Sequence, residues 1–287
     1  MEEDFSNMFT VTPMSQDIRL EPGKTYTGKI TIANPADAKS NFEYRATVTP
    51  YTISGENYQA DLATVTNSSK IVDWIKIENP TGSIEPNHTL DVNYTITVPK
   101  DAAGGGQYAT ISIGSNTESA KGNGVSVNNI FEMASIIYAR VSGEINHGGE
   151  ILENNVPGFS TVVPVTVTGR LTNTGNVHEA ATIIIKATNF FTGEVILPSE
   201  DNEGTYTELT MPDSERFISR EISNLPLLGV IKVEQTIYYL GDVKTESKNV
   251  IICPIWFMAL ILLTIGSIVY SIIRIVKGHR KKRSELL

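Results

Sequence analysis

The sequence predicts an all-β chain: two tandem immunoglobulin-like β-sandwiches followed by a single transmembrane α-helix. Three observations predict it. Short runs of alternating apolar and polar residues recur between Gly, Pro and Asn turns. That pattern restarts after a polar, glycine-rich stretch near the middle of the chain. One long uncharged segment then lies close to the C-terminus.

The uncharged segment runs from Asn249 to Ile273, and Arg274 closes it. As a helix rising 1.5 Å per residue it reaches about 37 Å, enough to cross a hydrocarbon core of about 30 Å with some tilt. Trp256 and Tyr270 lie toward its two ends, where amphipathic rings favour the membrane interface. A buried core helix is the alternative, and such helices are seldom apolar on every face. Arg274, Lys277, Arg280, Lys281, Lys282 and Arg283 follow the span, with Glu285 the one acid among them. Lys and Arg excess marks the cytoplasmic side, so these residues read as a stop-transfer cluster inside and residues 1–249 as extracellular at the cell membrane. Lipid or a cytoplasmic partner is a second use for the same charges. Met1-Glu2-Glu3-Asp4 is acidic and leads no apolar stretch, which export accounts for by removal of a signal peptide.

The chain in order gives an N-terminal extension (1–8), a first sandwich (9–142), a linker (143–158), a second sandwich (159–249), the span (250–273) and a basic tail (274–287). In the first sandwich Glu21-Pro22-Gly23-Lys24 is a turn signal. Tyr26, Gly28, Ile30 and Ile32 then alternate with polar residues up to Asn34, as a half-buried strand does. Further strands are predicted over 41–48, 71–77 (with Trp74 as a core anchor), 90–98, 107–113 and 130–141. Gly104-Gly105-Gly106 reads as a flexible loop between strands. The linker GEINHGGEILENNVPG is polar and ends in Pro-Gly. After it Val163, Val165 and Val167 restart the alternation, and strands are predicted over 180–188, 205–209, 216–222, 230–239 and 244–250. Asn34 and Asn173 each close a strand near the start of a module, an internal echo of one strand-to-turn solution.

The chemistry of the chain excludes several classes. It carries 23 basic and 32 acidic residues, and six of the bases follow the span. The remainder is acidic, which argues against nucleic acid as a partner. The single cysteine, Cys253, lies in the span, so no intrachain disulfide, thiolate zinc site or cysteine nucleophile is available outside it. His88, His147, His178 and His279 are scattered, with no metal-ligand spacing and no serine nucleophile elbow. The glycine triplet lacks the Lys and Ser/Thr of a phosphate loop. Glu200-Asp201-Asn202-Glu203 packs oxygen ligands into one turn, but a solvated acidic turn is the simpler account. Asn67, Asn87 and Asn93 head N-x-Ser/Thr triplets whose use depends on the host. The expectation is a protein that is not an enzyme and takes no cofactor or metal.

The motifs also carry a resemblance. Phe9, Val11 and Pro13 open the chain, and Leu20, Pro22, Gly23 and Lys24 form the first turn. Val98-Pro99 leads to Gly104-Gly105-Gly106-Gln107-Tyr108-Ala109, and the second module holds Asn173-Thr-Gly-Asn-Val-His178. In this order, ahead of one span and a basic tail, they resemble the WxL-interacting, peptidoglycan-binding surface proteins of Gram-positive bacteria. That resemblance implies a non-catalytic, membrane-anchored adaptor of the cell wall. Its partners would be peptidoglycan and a secreted WxL-type surface protein. Tyr51 and Tyr58 are the candidate glycan or partner contacts, because aromatic faces stack on sugars. Ordinary cross-strand packing explains them as well.

Two other functions fit the same sequence. The opening also looks like that of pilus chaperones, so the protein could be a structural or chaperone-like assembly factor of a surface fibre, acting by β-strand addition. The acidic start also suits a cytosolic tail-anchored tether built on a sperm-protein-like sandwich, although the basic tail would then have to cross the membrane.

Overall fold

The computed structural model describes residues 9–54, 59–115, 132–196 and 204–284. The chain is mostly β-sheet with one C-terminal helix. It divides into two compact units. One comprises Met1–Glu150, Leu171–Ala180 and Leu209–Phe217, and the other Ile151–Arg170, Ala181–Glu208 and Ile218–Leu287.

The first unit opens with β1 (Thr10–Thr12), β2 (Ser15–Leu20), β3 (Thr25–Asn34), β4 (Phe42–Pro50), β5 (Thr52–Ser54) and β6 (Gln59–Asp61). It continues through β7 (Ile75–Ile77), β8 (Thr81–Ile84), β9 (His88–Thr97), β10 (Gly105–Ser115) and β11 (Glu132–Val141). One sheet has the order β1-β3-β9-β7, a second β2-β11-β10-β4-β8, and β5 pairs with β6 alone. A single apolar cluster draws Val11, Ile30 and Val92 from the first sheet and Leu20, Ile111 and Ile137 from the second. In β9, Val92, Tyr94 and Ile96 are buried while Asp91, Asn93 and Thr95 are not, the alternation a one-sided strand requires. Gly23 takes φ +77° in the turn after Pro22, a conformation that favours glycine.

The N-terminal segment serves both sheets. β1 pairs with β3 in the first sheet, and after Pro13 and Met14 the chain crosses to pair β2, in parallel, with β11 in the second. This switch sets how far β2 reaches along β11.

The later strands are β12 (Gly149–Asn155), β13 (Phe159–Ser160), β14 (Val165–Asn173), β15 (Glu179–Asn189) and β16 (Val195–Ile196). After them come β17 (Thr205–Thr210), β18 (Ser214–Ile222), β19 (Gly229–Tyr239) and β20 (Asp242–Ile252). They form a sheet β12-β14-β18 and a larger one, β13-β20-β19-β15-β16, with β17 also on β15. Val165 and Val167 are buried on β14, and Ile231, Val233 and Ile237 on β19.

The Asn echo is structural. Buried Asn34 ends β3 and donates its amide to the carbonyls of Ile84 (2.9 Å) and Ser40 (3.1 Å). Buried Asn173 ends β14 and donates to Val177 (2.8 Å) and Thr210 (2.9 Å), while its Oδ1 accepts from the Gly175 N–H. At each position one amide satisfies two backbone carbonyls as the strand turns.

Four expectations change. Residues 67–73, partly assigned to a strand, form a 3-10 helix, Asn67–Asp73, with Thr66 and Ser69 capping its start reciprocally; Trp74 ends it and packs, half-buried, against the core. Gly105 and Gly106 belong to β10 rather than to a loop. The stretch 143–158, read as a linker, contains β12, whose single buried apolar residue is Ile151. The helix read as beginning at 250 begins at Ile255, because 250–252 complete β20 and Pro254 interrupts the chain before the helix. Helix α1 (Ile255–Ser284) takes in Arg274, Lys277, Arg280, Lys281, Lys282 and Arg283, so the basic tail continues the helix. Its stretch Ile255–Ile275 is long and apolar enough to cross a membrane and is buried nowhere.

Candidate functional site

The first unit presents an incompletely covered strand. On one side β11 pairs with β10 along its whole length, from Gly105↔Val141 to Gly114↔Glu132. On the other side β2 covers only Ile136 to Val141. Among the described residues no strand pairs with the outer edge of Glu132 to Ser135.

Backbone direction alternates along a strand, and two bonds fix its phase here. The Ile136 N–H donates to the Met14 carbonyl at 2.9 Å, and the Ser142 N–H to the Leu20 carbonyl at 2.8 Å. Even-numbered residues therefore aim their backbone groups away from β10, so Glu132 and Ala134 present theirs at the open edge. Met133 and Ser135 turn their side chains inward, and Ser135 is fully buried. A row of directed donors and acceptors on a well-packed strand is a template for another chain.

A ring cluster lies on the outer face of the same sheet. Tyr108 of β10 stands opposite Tyr138 of β11, their rings meeting edge-on at 6.0 Å. Tyr51 meets Tyr138 in the same way at 6.0 Å. His178 lies against both Tyr108 (5.6 Å) and Tyr138 (5.4 Å). The His178 backbone N–H donates to the Tyr108 hydroxyl at 2.8 Å, and Nδ1 stands 3.1 Å from that oxygen, where it accepts the hydroxyl proton in the Nε2–H tautomer. Burial holds the His178 imidazole below its ordinary range; Arg140 adds to the effect, while Asp17 and Glu179 oppose it. A Cβ on Gly106 would fall on the Tyr108 hydroxyl, which is why glycine occupies the start of β10.

Beside these rings is a cavity of about 380 Å³, lined in part by Tyr51, Asn67, Ser68, Gly106, Gln107 and Asn176. Gln107 holds one wall. Its Oε1 accepts from the Ile71 N–H (3.1 Å), and its Nε2 donates to the Asn67 carbonyl (2.7 Å).

Of the two aromatics expected at a contact surface, Tyr51 is half-buried, against Tyr138 and at this cavity. Tyr58 lies outside the described residues, as do Glu200, Asp201, Asn202 and Glu203. Trp256 and Tyr270 are exposed on α1. Asn87 takes φ 64° in the turn before β9, Asn93 lies on the exposed face of β9, and Asn67 opens the 3-10 helix. Among the described residues no group of three or more His, Cys, Asp or Glu could hold a metal ion. Sequence reasoning missed the Glu132–Ser135 edge and the Tyr108–His178 pair. The quoted motifs did contain Gly106, Tyr108 and His178, but no spacing rule joins positions 70 residues apart.

No family model matches the chain, and no curated protein does. Solved structures do. A chain of a chaperone–tip adhesin complex of CFA/I fimbriae shares 11% identity at a TM-score of 0.42, covering 84% of this chain and 98% of that one. The class 5 fimbriae chaperone CfaA shares 11% at 0.41, covering 84% and 99%. A chain of the CsuC–CsuE chaperone-tip adhesion subunit pre-assembly complex of Acinetobacter baumannii shares 10% at 0.39, covering 85% and 99%.

Proposed function

We propose that this protein is a non-catalytic, membrane-anchored assembly factor that captures an extended segment of a protein partner by adding it as a strand to β11. The observation that carries this reading is the outer edge of Glu132 to Ser135, which no strand among the described residues covers where β2 stops. Main-chain hydrogen bonds at such an edge supply affinity with little regard to sequence, and alternate side chains supply selectivity. Two immunoglobulin-like sandwiches present the edge outside the cell, α1 spans the membrane, and the basic residues after Ile273 hold the C-terminus inside. The partner is a secreted surface protein of the WxL type that the sequence resemblance implies.

A photo-crosslinking residue in place of Glu132 tests this in intact cells. The expected outcome is an adduct with a secreted protein, absent when the same residue replaces Val243 on β20. Equal adducts at both positions, or none at Glu132, sink the proposal.

The cavity favours a second reading, peptidoglycan binding. Its hydroxyl and amide side chains Ser68 and Asn67 suit sugar hydroxyls, with the Tyr51 ring alongside. Full-length protein in detergent, mixed with purified sacculi, should sediment with them and lose retention in Asn67→Ala. Sedimentation unchanged by that substitution removes the cavity from consideration.

A further inference from the structure

We infer that the end of the β13-β20-β19-β15-β16 sheet next to α1 is an interfacial collar, in which three charge-poor loops rest in the lipid headgroup region around the root of the helix. The inference rests on reading α1 as a membrane span.

Strand register brings the loops together. β20 ends at Ile252, two residues before Pro254 and three before α1. Ile252 stands opposite Gly229, the first residue of β19, so the loop 223–228 lies at this end. β15 ends here as well, with Asn189 opposite Ile231, and the Phe190 N–H donates to the Val230 carbonyl at 3.0 Å. β13 runs parallel to β20, with Ser160 opposite Ile252, and the Ser160 carbonyl accepts from the Cys253 N–H at 2.9 Å. All these residues belong to the second unit, as does the helix.

The loops share one composition. Residues 156–164 and 223–230 carry no charge, and 189–196 carry only Glu194. Their apolar side chains point outward: Phe191 is 76% exposed, Val195 and Leu227 69% and Val162 62%. Asn189 holds the Phe190-Phe191 turn in place, its Oδ1 accepting from the N–H groups of Phe191 (3.0 Å) and Thr192 (3.2 Å). At the opposite end of the β19–β20 hairpin, Asp242 and Lys244 follow the turn directly. An exposed apolar cluster on a soluble surface marks an interaction site. This one surrounds the point where the chain becomes apolar enough to leave water, so lipid is the occupant that its position and lack of charge fit. Aromatic and aliphatic side chains on a structured rim bind the interface as an amphipathic helix does, by apolar burial at headgroup depth.

The test uses full-length protein in nanodiscs with Cys253→Ser, carrying one environment-sensitive fluorophore at Phe191→Cys, Leu227→Cys, Val243→Cys or Ile261→Cys in turn. All four side chains are exposed, so labelling disturbs no core. The expected result is a blue-shifted emission at 191 and 227, lost when lipids carry a nitroxide just below the headgroup, with position 243 behaving as in water. Position 261 reports the span itself. Quenching at 261 with water-like emission at 191 and 227 overturns the collar and leaves the span reading intact. Water-like emission at 261 overturns both.

Discussion

Each unit contains a long antiparallel hairpin flanked by a short parallel strand, and the two hairpins treat their outer edges differently. In the first unit β2 covers β11 from Ile136 to Val141, leaving Glu132 to Ser135. In the second, β13 covers only Ile251 and Ile252 of β20. The longer exposed edge therefore belongs to β20, yet that strand carries Asp242, Lys244, Glu246 and Lys248, with Glu246 and Lys248 paired at 2.9 Å. Charged side chains along an edge discourage pairing with another chain. The β11 edge has only Glu132, followed by Met133, Ala134 and Ser135. Among the described residues an uncovered edge is thus common to both units, and the absence of guarding charges singles out β11.

Hydrogen exchange would expose the shared part of this comparison. Ala134 should exchange about 100-fold faster than Ile136, since of the two only Ile136 donates to a neighbouring carbonyl among the described residues. On β20 the odd-numbered amides face outward, as Ile251 and Cys253 show by donating to Gly158 and Ser160. Thr245 and Ser247 should therefore exchange as fast as Ala134. Protection of Ala134 equal to that of Ile136 would mean that the β11 edge is covered, and the comparison would fail.

The middle strands differ too. β10 is buried on both faces over most of its length, whereas β19 alternates buried and partly exposed residues. On one face of β10, Ala109, Ile111 and Ile113 join the core; on the other Tyr108 meets His178. Gly106→Ala would force Tyr108 to move, with an expected loss of about 1–3 kcal/mol from overpacking in urea unfolding. An unchanged urea midpoint would show that the Tyr108 ring has room to yield.

These differences explain what the sequence made legible. β3, β9 and β14 bury one face, so their period of two is plain, and the turn at Gly23 announces itself through Pro22. β10 has no such period, because both its faces are covered, and its glycines disguise its start. The 3-10 helix Asn67–Asp73 hid beside Ile71, Val72 and Trp74, residues with strand-like shapes, and its Thr66–Ser69 cap lacks the acidic partner that makes a capping box conspicuous. β12 was masked by its glutamates and asparagines, since a single buried Ile151 gives no repeat. The open edge was invisible for a different reason. It depends on the register of β2 against β11, residues more than a hundred positions apart, and no local pattern encodes where β2 stops.

Removing the guard from β20 sharpens the comparison further. Glu246→Thr and Lys248→Thr together should alter unfolding stability by less than about 1 kcal/mol, because this partly exposed ion pair contributes little. They should nevertheless produce dimers at rising protein density, read by mass photometry of nanodiscs. A strictly monomeric double variant would transfer the difference between the edges from charge to twist.

The smallest effect concerns His178, which has no counterpart among the charged residues of β20. Burial first, then Arg140, lowers its proton affinity in the folded chain below the ordinary value of 6.5. As pH falls through 6.5 the unfolded chain takes up the proton first, so this group costs no stability above that pH and progressively more below it. The protonated ring also loses the Nδ1 lone pair that faces the Tyr108 hydroxyl. The urea midpoint of the first unit should therefore fall between about pH 7.5 and about pH 5.5, and His178→Gln, which keeps an acceptor and takes up no proton, should flatten that slope. If the substituted chain follows pH as steeply as the parent, His178 is not the source of the slope, and the imidazole serves only to pack Tyr108 and Tyr138.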